Sequence, residues 1–182
     1  MRKIVAGLFI SLDGVVESPD KWHFSYFNDE MGAAVGEHMA AGDTMLLGRR
    51  TYEEFASYWP HQNADDPNVA QMNNTPKLVV SRTLETAEWQ NTTLIKDDLA
   101  RELTRLKAQP GKNINITGSG TLVRSLLRDG LLDELFLLVH PLVVGPGKKL
   151  FEGDEQIPLT LAHSQTFSTG VLALTYTPAA RS

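Results

Sequence analysis

The rhythm of this chain changes about two thirds of the way along it, and that change limits the fold more than any single motif. Up to Leu127, short apolar runs alternate with segments of helical spacing. The opening run Ile4 to Leu12 is almost wholly apolar, as expected of a central strand buried on both faces. A helix begins at Asn28 or Asp29, carries Met31, Val35 and Met39, and ends near Gly42. Thr44 to Leu47 forms a short strand, followed by an amphipathic helix from Tyr52 to Trp59 that Pro60 stops. The polar stretch His61 to Pro76 is expected to be surface loop with a brief helical turn around Val69 to Met72. Strands follow at Lys77 to Ser81 and Thr92 to Ile95; Asp97-Asp98 then open a helix with Leu99, Leu103 and Leu106 on one face, closed by Pro110-Gly111. Asn113 to Thr117, Gly118-Ser119-Gly120 and Leu122 to Leu127 make one more strand, glycine turn and helix.

Beyond that point the chain is β throughout. Leu132 to Val139 is a strand, Pro141 to Val144 continues it in extended form, and Pro158 to Phe167 and Val171 to Thr177 meet at Thr169-Gly170. The whole pattern implies an α/β fold: a mostly parallel central sheet, helices on both faces and antiparallel strands at the C-terminal end.

With 182 residues and 42% hydrophobic content, the chain closes one core, so residues 1–182 are expected to form a single domain. A net charge of -5 offers no basic face for a polyanion, which points to a small-molecule partner rather than nucleic acid. Zero cysteines exclude disulfides, thiolate zinc sites and cysteine nucleophiles. The five histidines lack metal-ligand spacing, so no metal is assigned. Met1-Arg2-Lys3 before the apolar run Ile4 to Ile10 imitates a signal peptide, yet Asp13 and Glu17 fall where a cleavage site would lie. No stretch approaches the roughly 20 apolar residues of a membrane span. A soluble, cytoplasmic protein is expected.

Two segments carry the candidate chemistry. Gly48-Arg49-Arg50-Thr51 and Gly118-Ser119-Gly120-Thr121 each set glycine and hydroxyl groups between a strand and the first turn of a helix. Unpaired amides and the positive end of the helix dipole meet there, and glycine lets an anion approach the main chain. Two such turns on one sheet could hold an extended dinucleotide. Each taken alone is equally a tight connection with a Ser or Thr cap. Neither fits the dinucleotide G-x-G-x-x-G fingerprint or the P-loop, so an ordinary Rossmann dehydrogenase or NTPase is not supported.

The segment Leu46-Leu47-Gly48-Arg49-Arg50-Thr51-Tyr52-Glu53 resembles the strand-to-helix segment of dihydrofolate reductases and riboflavin-pathway reductases. Leu78-Val79-Val80-Ser81-Arg82-Thr83 is similar to their next cofactor segment, and Thr117-Gly118-Ser119-Gly120-Thr121-Leu122 to their glycine turn. Leu131-Leu132-Asp133-Glu134-Leu135, with Pro141 to Phe151, resembles the "DEL … P-x-x-x-G-x-G-x-x-L-F" signature of the riboflavin branch; Ser11-Leu12-Asp13-Gly14-Val15 matches its first strand and turn. The likeness runs from about Ile4 to Tyr176. It implies a dihydrofolate-reductase-like three-layer fold, kinship with the reductase half of the bifunctional riboflavin-biosynthesis deaminase-reductases, and NADPH as cofactor. The H-x-E and P-C-x-x-C zinc signature of the deaminase half is missing from this cysteine-free chain.

By this resemblance Gly48, Arg49, Arg50 and Thr51, then Ser81, Arg82 and Thr83, then Gly118, Ser119, Gly120, Thr121 and Leu122 would meet the cofactor. Arg49, Arg50 and Arg82 offer the guanidinium forks that a 2′-phosphate suits, or else are solvated surface charges. The resemblance also places a proton donor after the first strand: Asp29, with Asp13 as the alternative, although both have ordinary helix-start or turn roles. Trp22 and Phe27, within the aromatic stretch that also holds Phe24 and Tyr26, could stack on a flat substrate or simply fill a contact. Lys148, in Gly145-Pro146-Gly147-Lys148-Lys149, could receive a substrate phosphate or flank a plain turn. The implied activity is reduction of a C=N or C=O group in a small heterocycle, similar to 5-amino-6-(5-phosphoribosylamino)uracil reductase. A dihydrofolate or pterin reductase, or a non-catalytic nucleotide-binding module, are the alternatives. A homodimer through the late β strands is expected.

Overall fold

The computed structural model describes residues 1–153 and 155–180. In chain order the strands are β1 (Ile4–Ser11), β2 (Gly42–Gly48), β3 (Lys77–Val80), β4 (Thr92–Ile95), β5 (Asn113–Thr117), β6 (Glu134–His140), β7 (Leu159–Thr166) and β8 (Leu172–Pro178). The helices are α1 (Asp29–Ala40), α2 (Arg49–Tyr58), α3 (Pro67–Asn74), α4 (Leu99–Lys107) and α5 (Gly120–Arg128). One eight-stranded sheet runs β4-β3-β2-β5-β1-β6-β8-β7. The pairs from β4 to β6 are parallel; β8 and β7 join antiparallel.

Side-chain alternation along the strands builds a core on each face. Ile4, Ala6, Leu8 and Ile10 of β1 pack with Leu46, Ile114 and Ile116 under the leucines of α4 and α5. The other face joins Met45, Leu47 and Val79 to Tyr52 of α2 and Met72 of α3, and sets Met31 of α1 on Leu138 and Ala173. The fold is therefore three-layered, with helices on both faces and antiparallel strands at its C-terminal end, as the alternation of the sequence implies.

Two expectations are corrected. His61 to Pro76 is not mainly loop, because α3 occupies Pro67–Asn74. Asp66 accepts the amide of Asn68 at 2.8 Å, Pro67 supplies a ready first-turn φ, and Val69 and Met72 lie buried three residues apart. A helix this short shows little periodicity in a stretch of Asn and Asp. Second, Pro141 to Val144 does not prolong β6, which ends at His140. The amides of Val144 and Gly145 turn instead to the Asp13 carboxylate, at 3.0 and 2.9 Å.

The Asp133-Glu134 pair has a structural use at the N-terminal edge of the parallel strands. Asp133 accepts the Ile4 amide at 2.8 Å and the Lys107 ammonium at 2.7 Å, and Glu134 meets Lys3 at 2.5 Å. These contacts fasten the start of β1 to that of β6. Lys77 is 1% exposed, with Nζ donating to the carbonyls of Asn73, Thr75 and Gln90 and lying 4.1 Å above the Trp89 ring. Burial pulls its pKa down to about 8, and three carbonyl acceptors leave the ammonium fully bonded at neutral pH.

Candidate functional site

β2 and β5 lie side by side, yet their connections leave in opposite directions. The chain passes from β2 through α2 outward to β3, and from β5 through α5 across β1 to β6. Right-handed crossovers that depart oppositely put their helices on opposite faces. The core contacts of α2 and α5 agree with that; by the general rule for open α/β sheets, diverging connections of this kind define a switch-point crevice between the two strand ends. Gly48 and Gly118 stand at its two lips.

The two turns are tied directly to one another. The Gly48 amide donates to Ser119 Oγ at 2.9 Å; Ser119 Oγ and the Ser119 amide both lie in donor range of Thr51 Oγ1, at 2.8 and 3.1 Å. Gly118 has φ +68, where an L side chain is strained, and a Cβ there would come 3.2 Å from the Thr51 methyl. Ser119 itself adopts φ +54, which brings its hydroxyl into the gap between turns. With its hydroxyl hydrogen shared into this chain, Ser119 leaves Thr51 free to donate outward.

Helix capping separates this crevice from the rest of the molecule. Asn28 caps α1, Asp66 caps α3 and Asp98 caps α4, each accepting a first-turn amide. Gly48 and Ser119, which precede α2 and α5, make no such side-chain bond. Among the five described α-helices these two alone thus keep every first-turn amide free of a side-chain cap.

Around the crevice, Arg49 and Arg50 are exposed at the start of α2, and Arg49 spends part of its donor set on Glu53 at 3.2 Å. That pair is solvent-exposed and weak. β3 ends beside β2 in the turn Ser81-Arg82-Thr83. Ser81 is buried, and its Oγ accepts the Leu84 amide at 3.0 Å, so it shapes the turn, while Arg82 and Thr83 are exposed. Thr121 is exposed beside the turn, and the Leu122 side chain is in the core, leaving only its amide near the crevice.

The ends of β1 and β6 carry a second group of residues. Asp13 takes the Ser11 hydroxyl at 2.5 Å as well as the two amides of the 141–145 bend. These donors, Ser11 first, hold its pKa down to about 2. A carboxylate so held has no proton to give at neutral pH. Asp29 is exposed at the start of α1, on the flank where Glu30 accepts the Ser168 amide and hydroxyl at 2.9 and 2.7 Å. This puts Asp29 toward β8, with β1 and β6 between it and the glycine turns. Lys148 gives its backbone amide to Glu17 at 3.0 Å and leaves its side chain exposed. An open cleft of about 490 Å³ lies beside Trp22, Glu17, Lys21, Val143 and Pro146. Phe27 is 51% exposed and meets His23 edge to face at 6.3 Å.

Two buried histidines belong to this group although no sequence spacing singled them out. His23 stacks on Phe9 at 4.4 Å, and His140 is ringed by Phe9, Trp22 and Tyr26 at 5.1 to 5.8 Å. The available signal was a histidine inside an aromatic stretch and another closing an apolar strand.

Comparison with known proteins agrees with this architecture. Residues 2–173 match the RibD C-terminal domain family. An uncharacterized protein of Bacillus subtilis (strain 168), YyaP, is 31% identical over 96% of this chain and 94% of its own length. A second Bacillus subtilis protein, YwjB, is 28% identical over 93% of this chain and 95% of its own. Among solved structures, a putative riboflavin biosynthesis protein from Shewanella sp. PV-4 superimposes with a TM-score of 0.80 at 21% identity, covering 98% of this chain and 99% of that one. The deaminase/5-amino-6-(5-phosphoribosylamino)uracil reductase of Thermotoga maritima does so with a TM-score of 0.68 at 14% identity, over 98% of this chain and 57% of that one. The match across nearly its full length shows that this chain belongs to the RibD C-terminal domain family.

Proposed function

We propose that this chain is an NADPH-dependent reductase of a small heterocyclic substrate, acting on a C=N or C=O group. The observation that carries the proposal is the pair of uncapped helix starts bound to one another across the β2/β5 crevice. Their amides suit the pyrophosphate of an extended dinucleotide, and the glycine at 118 keeps the main chain open to it. Arg82 and Thr83, one strand farther out, suit the 2′-phosphate end; Arg49 and Arg50 lie between. The opposite end then falls toward β1 and β6, where Trp22, Phe27 and the cleft offer flat apolar surfaces to a heterocycle.

The cofactor supplies the hydride when bound, and the chain's own residues orient it and exclude water. Lys148 is the candidate for a substrate phosphate. Family membership supports the reductase class; the 5-amino-6-(5-phosphoribosylamino)uracil activity of the Thermotoga protein suggests the compound to assay first.

Nicotinamide fluorescence on titration of the protein into NADPH tests the proposal, with no change at high micromolar cofactor counting against it. Arg82→Ala separates the two cofactors. Removing one guanidinium from a phosphate costs about 1.5–3 kcal/mol, roughly tenfold or more in Kd, and NADH should be unaffected. Equal loss for both cofactors would remove Arg82 from this role.

A further inference from the structure

A reduction of this kind consumes one proton, and three carboxylates around the proposed substrate end are already engaged. Asp13 is ionised and bonded to three donors, Glu17 holds the Lys148 amide, and Glu30 is committed to Ser168. Beside them lie two buried imidazoles. His140, the last residue of β6, is fully buried, with Nδ1 2.8 Å from the Leu138 carbonyl and Nε2 without a partner. His23 is 8% exposed, its Nδ1 also buried and unpartnered, and the two rings lie 6.3 Å apart.

Unpaired buried nitrogens are uncommon because each costs the hydrogen bond it would have made in water. Among the described residues only three side-chain nitrogens are in that state, two in this pair and the third His38 Nε2. The backbone hydrogen bonds that tie down the segment covering the pair are local: Lys21 to Ser18, Trp22 and His23 to Pro19, Tyr26 to His23, Phe27 to Phe24. Ring contacts to Phe9 and His140 fasten this cover to the sheet. Such contacts can part without breaking a strand ladder, so the imidazoles can be reached. The chain leading into this cover passes beside the cofactor turn, since a Cβ at Gly120 would stand 3.3 Å from Val16, whose amide is fixed to the Lys148 carbonyl.

We propose that His23 and His140 together carry the proton of the reduction, in the place where a carboxylate was expected. This rests on the reductase function above and names the group it leaves open. Hydride adds two electrons and a C–H bond to the substrate carbon, and the cofactor is oxidised. An imidazolium N–H of the pair breaks as the new heteroatom–H bond forms, and the neutral imidazole recovers its proton from solvent. Burial keeps both rings below the ordinary histidine pKa. His140 and Asp20 are the charged groups acting on His23, one lowering and one raising it; the Leu138 and Ile10 carbonyls favour the protonated form of His140. A charge on His140 disfavours one on His23.

Long-range proton–nitrogen NMR of histidine-labelled protein tests this without turnover. At pH 7 His140 should be neutral with its proton on Nδ1, and NADPH should move the His23 and His140 resonances while exposed His61 and His163 stay put. In assays with 5-amino-6-(5-phosphoribosylamino)uracil, His140→Gln should keep NADPH affinity within about twofold. It should lose about 10²–10⁴ in rate, together with the fall in rate as pH rises. His23→Gln supplies the same comparison should the buried His140 variant misfold. NADPH binding with both resonances unmoved, or an unchanged pH profile in the variants, overturns the proton role and leaves the cofactor site standing. Binding without turnover by the unaltered chain overturns both the reduction and the proton role. Absence of NADPH binding overturns the cofactor site and this pair with it.

Discussion

Asp13 shows how a residue of catalytic type can be occupied by holding a bend. Its carboxylate closes the bend after β6 by accepting two amides, and the Ser11 hydroxyl that bonds it also accepts the Val15 amide at 2.9 Å. Its native pKa, about 2, lies below the ordinary 3.8, so the native state takes up a proton less readily than the unfolded chain. The resulting stabilisation is complete above about pH 4 and is lost as pH falls through about 2. Melting curves of the wild type and Asp13→Asn should therefore differ at pH 7 and converge in acid. A gap that stays constant between pH 5 and 2 would mean that the charge of Asp13 does not hold the bend.

At the scale of elements, the contrast between capped and uncapped helices organises the molecule. Ser119 does not cap its own helix because its hydroxyl serves the neighbouring turn. Ser119→Ala should cost about 1 kcal/mol, about 2–4 °C in Tm for a chain of this size, and should speed hydrogen exchange at the Gly48 amide. An unchanged Gly48 amide would show that the two turns are held by something else. β7 presents the opposite problem. Its eight residues contain no Asp, Glu, Lys or Arg, most are exposed, and it forms one edge of the sheet. Long uncharged edges pair readily with other chains unless covered. We propose that β7 pairs with β7 of a second copy, giving twice the 20.1 kDa chain mass in light scattering. Leu161→Lys, at a half-exposed position on that strand, should convert the dimer to monomer, and a variant that remains dimeric would place the contact elsewhere.

For the molecule as a whole, most of the architecture was legible in the sequence because periodicity reports burial. The apolar run at Ile4, the leucine face of α4 and the two glycine turns all lie where pattern and turn chemistry put them. What was hidden depended on contacts distant in sequence. The α3 cap and its two buried residues sit in a polar stretch, and the bend after His140 is set by a carboxylate 131 residues away. The histidine pair emerges only when β1 and β6 bring Phe9 and His140 together. In the same way, no spacing could show that β2 and β5 are neighbours whose connections diverge, though the crevice depends on it.

The central claim is that both turns grip one molecule. Amide hydrogen exchange with and without saturating NADPH tests it most directly. Protection should rise together at residues 48–51, 82–84 and 118–122, which are far apart in sequence and meet at the ends of the neighbouring strands β2, β3 and β5. Protection at one turn alone, or at neither, would contradict it.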